Sequence, residues 1–295
     1  MIRLSGTDIS NTIQDELALE VQSLKEKGLD PTLSVILVGN DPASAVYVRN
    51  KKRTCEKLGI RSVEKNLPQD TPQQELLDTV IELNNDPSVN GILCQVPLPK
   101  QCSEQEIIQT ILPEKDVDCF HPFNFGLLAA GIPRFMPCTP FGILQILKRS
   151  GYETKGKNVT VLGRSNIVGR PLSILLSLKG WDSTVTVCHS RTENLADVCK
   201  KADILVVAIG RPEFATADFV KEGAIVIDVG MNRVDDDTRK QGYRLTGDVD
   251  YQGIQQIAQA ATPVPGGVGP MTITMLMYNT INAARFQAGM DRFEL

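Results

Sequence analysis

The chain reads as an α/β protein of two domains built on parallel sheets, and three observations predict this. Short apolar runs of strand length alternate with helix-length segments in two successive blocks, the pattern of parallel strands covered on both faces. Between a strand pattern and a helix pattern in mid-chain lies a tight polar loop framed by glycines, Gly163-Arg-Ser-Asn-Ile-Val-Gly169. The length, 295 residues, is enough for two domains that each bury a core.

The elements follow in order. Residues 33–38 form a strand, 42–58 a helix and 63–67 a second strand. Residues 71–84 are helical, 91–95 form a third strand and 103–112 a helix. The stretch 113–140 lacks periodicity and is rich in proline and glycine, so it reads as a long functional loop. The second block opens with a helix over about 140–149. Strands over 159–162, 184–188, 204–209 and 224–229 follow, with a helix over 170–178 after the first of them. A last helix, about 271–288, comes after a proline- and glycine-rich loop and is expected to return to the first domain. The expected domains are therefore 1–138 with 271–295, and 139–270.

The loop at 163–169 predicts a bound dinucleotide. Gly163 lets the chain turn, and Gly169 lets the next helix start close to a ligand, with its free N–H groups and positive dipole end aimed at a phosphate. The spacing departs from G-x-G-x-x-G, because Ser165 replaces the middle glycine and the loop is one residue longer; the strand before it and the helix after it supply the context. The next strand ends in His189-Ser190-Arg191-Thr192, with no acid to bind a ribose 2′-hydroxyl. Arg164, Ser165, Ser190 and Arg191 can instead hold a 2′-phosphate. This half reads as a Rossmann-like domain that prefers NADP to NAD.

Composition narrows the class. A 42% hydrophobic, 22% charged chain is that of a soluble globular protein, and a net charge of −4 with no basic face or tail argues against a nucleic-acid partner. No apolar run approaches the ~18 residues of a membrane span, and no secretory leader pattern is visible at the N-terminus. The seven cysteines are odd in number and scattered, which reads as reduced thiols in the cytoplasm. Only His121 and His189 are present, neither near a cysteine pair, so no metal site is expected.

Candidate chemistry lies in the first block. Tyr47 and Lys51 stand at i and i+4 on one helix, so they share a face. The tyrosine ring can stack on an aromatic substrate while the amine reaches the reacting centre. Gln95 presents an amide at the carboxyl end of a strand, where ligands bind in open α/β sheets. Asp116 and Asp118 place two carboxylates on the following loop. Taken singly, each has a plain alternative as a solvated lysine, a strand-end amide or a turn aspartate.

Read jointly, the chain resembles the bifunctional methylenetetrahydrofolate dehydrogenase/methenyltetrahydrofolate cyclohydrolase family. The stretches that carry the resemblance are Asp41-Pro-Ala-Ser-Ala-Val-Tyr47-Val-Arg-Asn-Lys51, Gln95-Val-Pro-Leu-Pro99, Pro113-Glu-Lys-Asp-Val-Asp118 and Pro137-Cys-Thr-Pro140. They continue with Gly163-Arg-Ser-Asn-Ile-Val-Gly169, Gly223-Ala-Ile-Val-Ile-Asp228-Val-Gly230 and Thr262-Pro-Val-Pro-Gly266-Gly267-Val-Gly269-Pro-Met-Thr272. The resemblance implies an N-terminal α/β substrate domain, an NADP-binding domain and an active-site cleft between them. It implies oxidation of 5,10-methylenetetrahydrofolate to the 5,10-methenyl form with NADP, then hydrolysis to 10-formyltetrahydrofolate, in one-carbon metabolism that serves purine biosynthesis. It also implies a homodimer.

Residue roles are implied in the same way. Lys51 resembles the catalytic lysine, Gln95 its hydrogen-bond partner, and Tyr47 the ring that packs on the aminobenzoate. Asp118 resembles the carboxylate that grips the pterin, and Gly266 and Gly267 a loop lining the folate. Gly163, Arg164, Ser165, Gly169 and Arg191 match the NADP loops, with Thr139, Ser190, Ile209, Gly210 and Thr272 as further contacts. One position departs: the family commonly has glycine after the pterin-binding aspartate, and here it is Cys119. A positive φ there would strain cysteine by ~1–2 kcal/mol. Two other readings compete: another two-domain NADP oxidoreductase of the shikimate type, and a folate- or NADP-binding module without catalysis.

Overall fold

The computed structural model describes residues 1–239 and 242–295. The elements run β1 (Ile2–Arg3), α1 (Gly6–Glu26), β2 (Thr32–Val38), α2 (Pro42–Leu58), β3 (Arg61–Leu67), α3 (Gln73–Asn85), β4 (Gly91–Cys94), α4 (Glu104–Thr110), α5 (Pro122–Ala129) and α6 (Cys138–Arg149). They continue β5 (Asn158–Leu162), α7 (Gly169–Ser177), β6 (Thr184–Cys188), α8 (Leu195–Cys199), β7 (Ile204–Val207), a 3-10 turn (Ala217–Phe219), β8 (Ile225–Asp228), β9 (Asn232–Asp235), β10 (Tyr243–Thr246), β11 (Ala260–Ala261) and α9 (Val268–Gln287). The chain forms two compact units, Met1–Ser10 with Thr139–Thr272, and Asn11–Cys138 with Ile273–Leu295.

The second of these holds a three-stranded parallel sheet in the order β3-β2-β4. Strand β2 reads Thr-Leu-Ser-Val-Ile-Leu-Val and is buried along nearly its whole length, as a central parallel strand must be. Helix α2 starts where Asp41 Oδ2 accepts the Ser44 N–H at 2.7 Å, and it stops at Gly59, whose φ of 76° ends the helix in the left-handed region. Helix α3 buries Leu76, Val80 and Leu83, one face at helical spacing. These pack with Ile36, Val38, Ile92, Ile107 and Ile111 into the core under the sheet.

The other unit carries six parallel strands in the order β1-β11-β8-β7-β5-β6. The chain runs from β5 outward to β6, then crosses back to β7 on the opposite side of β5. Its core joins Leu162, Leu205, Val207 and Val226 of the sheet to Ala215, Val220, Val249 and Ile254.

Several expectations change. The first ten residues, expected with the N-terminal domain, group with the six-stranded unit, because Ile2 and Arg3 pair in parallel with Ala260 and Ala261. That unit also runs to Thr272 instead of 270. The stretch 113–140 is not one long loop: it contains α5, capped by His121, whose Nδ1 accepts the Phe123 N–H at 3.0 Å. Helix α1 and the antiparallel β9–β10 hairpin were not expected at all.

Candidate active site

In the three-stranded unit, α2, the end of β4 and the segment after α4 bring three expected side chains together. Lys51 Nζ donates to Gln95 Oε1 at 2.8 Å. The Gln95 Nε2 donates to the Val96 carbonyl at 2.7 Å, which turns the amide oxygen toward the lysine. Gln95 itself is held in line with β2, its N–H donating to the Ile36 carbonyl at 2.9 Å. Tyr47, one turn before Lys51 on α2, is 39% exposed, so much of its ring is open to a ligand.

Asp118 lies in a turn two residues past Asp116, the residue that bridges β4. The Ile92 N–H donates to the Lys115 carbonyl at 2.8 Å, and Ile92 bridges Asp116 in parallel. Gly91 permits this approach, since a Cβ there would stand 2.7 Å from a methyl of Val117. Strand end and carboxylate therefore come from adjacent parallel segments. Burial pushes the Asp118 carboxyl up from its ordinary value, the Lys51 ammonium pulls it down, and Asp116 pushes it up again. Burial lowers Lys51, opposed by Asp118, Cys138 and Cys55.

Three residues to which sequence reasoning gave no role hold this arrangement. Asp116 is buried and accepts from the N–H groups of Phe120 (3.1 Å) and His121 (2.9 Å) and from the Asn124 amide (2.8 Å), which folds the chain just past Asp118. Asn279 on α9 is fully buried and donates to the carbonyls of Val117 and Met136, both at 2.7 Å. The Cys138 thiol donates to the Val117 carbonyl at 3.4 Å, and burial near the Asp118 carboxylate pushes that thiol well up, so it stays protonated. Asp116 belonged to a quoted motif but was given no role, and nothing local marks Asn279. Cys119 adopts a φ of 63° and is 2% exposed, with Sγ 3.4 Å from the Phe135 carbonyl. The left-handed backbone that would favour glycine is therefore present.

In the six-stranded unit, Leu162 pairs with Cys188, so the loops that follow β5 and β6 leave one sheet edge side by side. Arg164, Ser165, Ser190 and Arg191 are exposed on these two loops. Neither guanidinium has an acidic partner among the described residues. The second loop is shaped by His189, whose Nδ1 accepts the Arg191 N–H at 3.1 Å, and by Thr192, whose Oγ1 accepts the His189 N–H at 2.9 Å. Neither residue was singled out as a contact from the sequence.

Gly163 acts as expected, and Gly169 does not. Gly163 has a φ of 128°, and a Cβ on it would lie 2.2 Å from the Ala208 carbonyl oxygen. A Cβ on Gly169 would lie 2.2 Å from the Gly163 carbonyl oxygen, so Gly169 allows backbone to pack on backbone. The start of α7 is not a set of free donors either. Ser165 Oγ accepts from Val168 and Gly169 (3.1 and 3.4 Å), and the Ser165 carbonyl accepts from Arg170 at 3.0 Å. A serine one turn before a helix supplies its own cap, which the glycine pattern did not reveal.

Thr139 and Thr272 share a hydrogen bond of 2.9 Å within this unit. Gly266 and Gly267 also belong to it. Gly266 accepts the Thr7 N–H at 3.1 Å, and a Cβ on Gly6 would meet the Gly267 carbonyl oxygen at 1.8 Å. Ile209 and Gly210 follow β7 at the same sheet edge as the glycine loop.

Known proteins match along almost the whole chain. The family model described as tetrahydrofolate dehydrogenase/cyclohydrolase, catalytic domain, matches residues 4–118, and the NAD(P)-binding domain model of the same family matches 137–288. A bifunctional protein FolD of Acetivibrio thermocellus is 52% identical over 287 residues, 97% of this chain and 98% of the relative. One from Halalkalibacterium halodurans is 54% identical, covering 96% and 99%. The solved FolD methylenetetrahydrofolate dehydrogenase/cyclohydrolase from Campylobacter jejuni superposes with a TM-score of 0.92 at 43% identity, covering 97% of this chain and 99% of that one. The Trypanosoma brucei enzyme, solved with NADP cofactor and inhibitor, gives 0.92 at 39% identity, with 98% of both chains covered.

Proposed function

This chain belongs to the tetrahydrofolate dehydrogenase/cyclohydrolase family, and from that premise we propose that Lys51, Gln95, Asp118 and Tyr47 form its folate site and the loops after β5 and β6 its NADP site. It is a bifunctional enzyme of folate one-carbon metabolism. It oxidises 5,10-methylenetetrahydrofolate to 5,10-methenyltetrahydrofolate and hydrolyses that product to 10-formyltetrahydrofolate. The single observation that carries the site assignment is the 2.8 Å bond from Lys51 to Gln95, made beside the partly buried Asp118.

The residues present fit NADP. Two arginines with no acidic partner among the described residues and two serines stand on neighbouring loops, suited to a 2′-phosphate, and Gly163 allows the loop to pass close over the sheet edge. NADP, when bound, supplies a hydride acceptor for the one-carbon bridge. The folate nitrogens stabilise the cation left behind, so the protein needs no base for the oxidation and has only to position the substrate.

Hydrolysis does need a base. An ordinary lysine titrates at ~10.4 and is charged at neutral pH. Burial already lowers Lys51, while the Asp118 charge works against it. When Asp118 accepts hydrogen bonds from the amino-pyrimidine edge of the folate, its charge is engaged and its hold on Lys51 weakens. Substrate binding thus frees the amine to take a proton from water, and Gln95 keeps it aimed. Tyr47 offers its ring to the aminobenzoate. Gly266, Gly267, Thr139, Thr272, Ile209 and Gly210 are read as further ligand contacts.

We read the protein as a cytoplasmic homodimer whose product feeds purine biosynthesis. The free state of all seven cysteines supports a reducing compartment. A spectrophotometric assay with 5,10-methylenetetrahydrofolate, run in parallel with NADP and NAD, tests the proposal. Reduced NADP and a transient methenyl absorbance that decays faster than in buffer are expected. Accumulation of methenyl without accelerated decay would remove the hydrolytic role of Lys51 and Gln95.

A further inference from the structure

The order of the six strands marks where a ligand should sit. From β5 the chain goes to β6 on one side and then to β7 on the other, so the direction of winding reverses between β5 and β7. In open α/β sheets ligands bind outside the carboxyl ends of the strands at such a reversal. Two loops flank it: Gly163 onward after β5, and Ala208 to Arg211 after β7. They abut, since a Cβ on Gly163 would meet the Ala208 carbonyl oxygen.

The second loop is held by one side chain from far along the sequence. Asp248 is fully buried. Its Oδ2 accepts the N–H groups of Ile209 (2.7 Å) and Gly210 (2.9 Å), and its Oδ1 accepts the Arg211 N–H (2.9 Å) and the Asn232 amide (2.9 Å). Three successive backbone donors thus converge on one carboxylate, which fixes the course of the loop. The Arg211 guanidinium is turned away, stacked 4.3 Å from the centre of the Phe214 ring, so no cation neutralises Asp248 from that residue.

A second carboxylate supports the first. Asp228, at the end of β8, accepts the Asp248 N–H at 2.9 Å, the Val249 N–H at 3.0 Å and the Gly230 N–H at 2.9 Å. The chain keeps glycine where these carboxylates press on the backbone. A Cβ on Gly230 would stand 2.3 Å from Asp248 Oδ1, and one on Gly247 would stand 1.8 Å from Asp228 Oδ2. The space around both carboxylates therefore admits no side chain at either neighbour.

We infer that Asp248 is a positioning residue for the dinucleotide: it gathers the Ile209–Arg211 backbone into the wall of the crevice where the cofactor binds. The inference rests on the NADP reading above. An amide in its place turns an N–H₂ toward backbone donors and leaves at least one of them unmatched in a dry site. The loop then loses its single shape, and the cofactor bears the cost of reordering it. The hydrolysis, which needs no NADP, is not the step that suffers.

The test uses the full-length protein and its Asp248→Asn variant, with NADP binding measured by titration and both reactions measured kinetically. The NADP Kd is expected to rise roughly tenfold or more, the size of one lost buried acceptor. The ratio of NADP-dependent to NADP-independent kcat/KM should fall by a similar factor, carried by KM for NADP and not by kcat. Unchanged NADP binding, or a loss of both reactions in parallel as a merely structural residue would give, overturns the inference. Should Asp248→Asn not yield folded protein, Asn232→Ala decides. It removes one donor from outside the loop, and a rise of about threefold in NADP Kd supports the inference while no change overturns it. If the wild-type protein binds no NADP, the functional reading fails first and the inference with it; if wild type binds and Asp248→Asn binds equally, only the inference fails.

Discussion

The two proposed ligand-binding regions, one in each unit, are built from different material. In the three-stranded unit the chemistry lies in side chains that touch: an amine on an amide, with a carboxylate and a thiol beside them. In the six-stranded unit the equivalent work falls to the backbone, in loops whose glycines admit carbonyls at distances no Cβ allows. The difference teaches where each half is vulnerable. The first is damaged by taking atoms away and the second by adding them, because one depends on functional groups and the other on the path of the chain.

The sharpest break of that contrast is Lys51→Met. It should lower hydrolysis by roughly 10³- to 10⁴-fold, the worth of a positioned base, while NADP still binds. Hydrolysis at the wild-type rate would remove Lys51 from the mechanism. Next is Gly163→Ala, whose added methyl meets the Ala208 carbonyl oxygen at a φ of 128°. NADP affinity should fall about 100-fold by titration, with the stability loss read separately from urea unfolding. Equal loss of folate affinity would show that the contrast between the halves is false.

Asp118→Asn comes third. It keeps the shape but replaces a charged acceptor, so folate Kd should rise roughly tenfold in equilibrium binding. The pH profile of hydrolysis then sharpens the role of Lys51. Burial lowers its pKa from the ordinary 10.5, so the neutral amine gains population at lower pH. Rates should climb with pH and level off at a midpoint below that value, and Asp118→Asn should move the midpoint further down, because the charge that raises Lys51 is gone. A midpoint at or above 10.5 would contradict the buried-base account. The smallest effect belongs to Cys119→Gly. Relief of the left-handed backbone offsets the loss of a buried thiol and the added freedom of the unfolded chain, so urea unfolding should shift by less than about 1 kcal/mol.

The halves also share a device. In each, a buried aspartate accepts consecutive backbone N–H groups next to residues proposed to meet the ligand: Asp116 beside Asp118, and Asp248 behind Ile209 and Gly210. Neither carboxylate carries out the chemistry. Each fixes the curvature of a loop that has no sheet or helix to hold it.

Much of the architecture was legible because it is local. Helix α2 was expected over 42–58, and those are its observed ends, with a capping aspartate before it and a glycine after it. The strand expected over 184–188 is β6. Tyr47 and Lys51 on one helix, Gln95 at a strand end and the loop at 163–169 were all visible as short patterns. Helix α1 was readable too, since Ile13, Leu17, Val21 and Leu24 repeat at helical spacing and are buried. Helix α5 hid behind a histidine cap and an evenly apolar sequence.

By itself the sequence determined the alternation of elements and the two-domain α/β class, because propensity, capping and periodicity act within a few turns of chain, while the lysine, glutamine and aspartate were marked by their resemblance to the family's motifs. Tertiary structure alone decided that Asn279 closes on Val117, that Asp248 gathers Ile209 to Arg211, that residues 2 and 3 join the far sheet, and that Gly169 serves the packing of its own backbone. These are pairings of buried polar groups and close-packed atoms between segments remote in sequence. Their partners are fixed only once burial removes water as the competing partner.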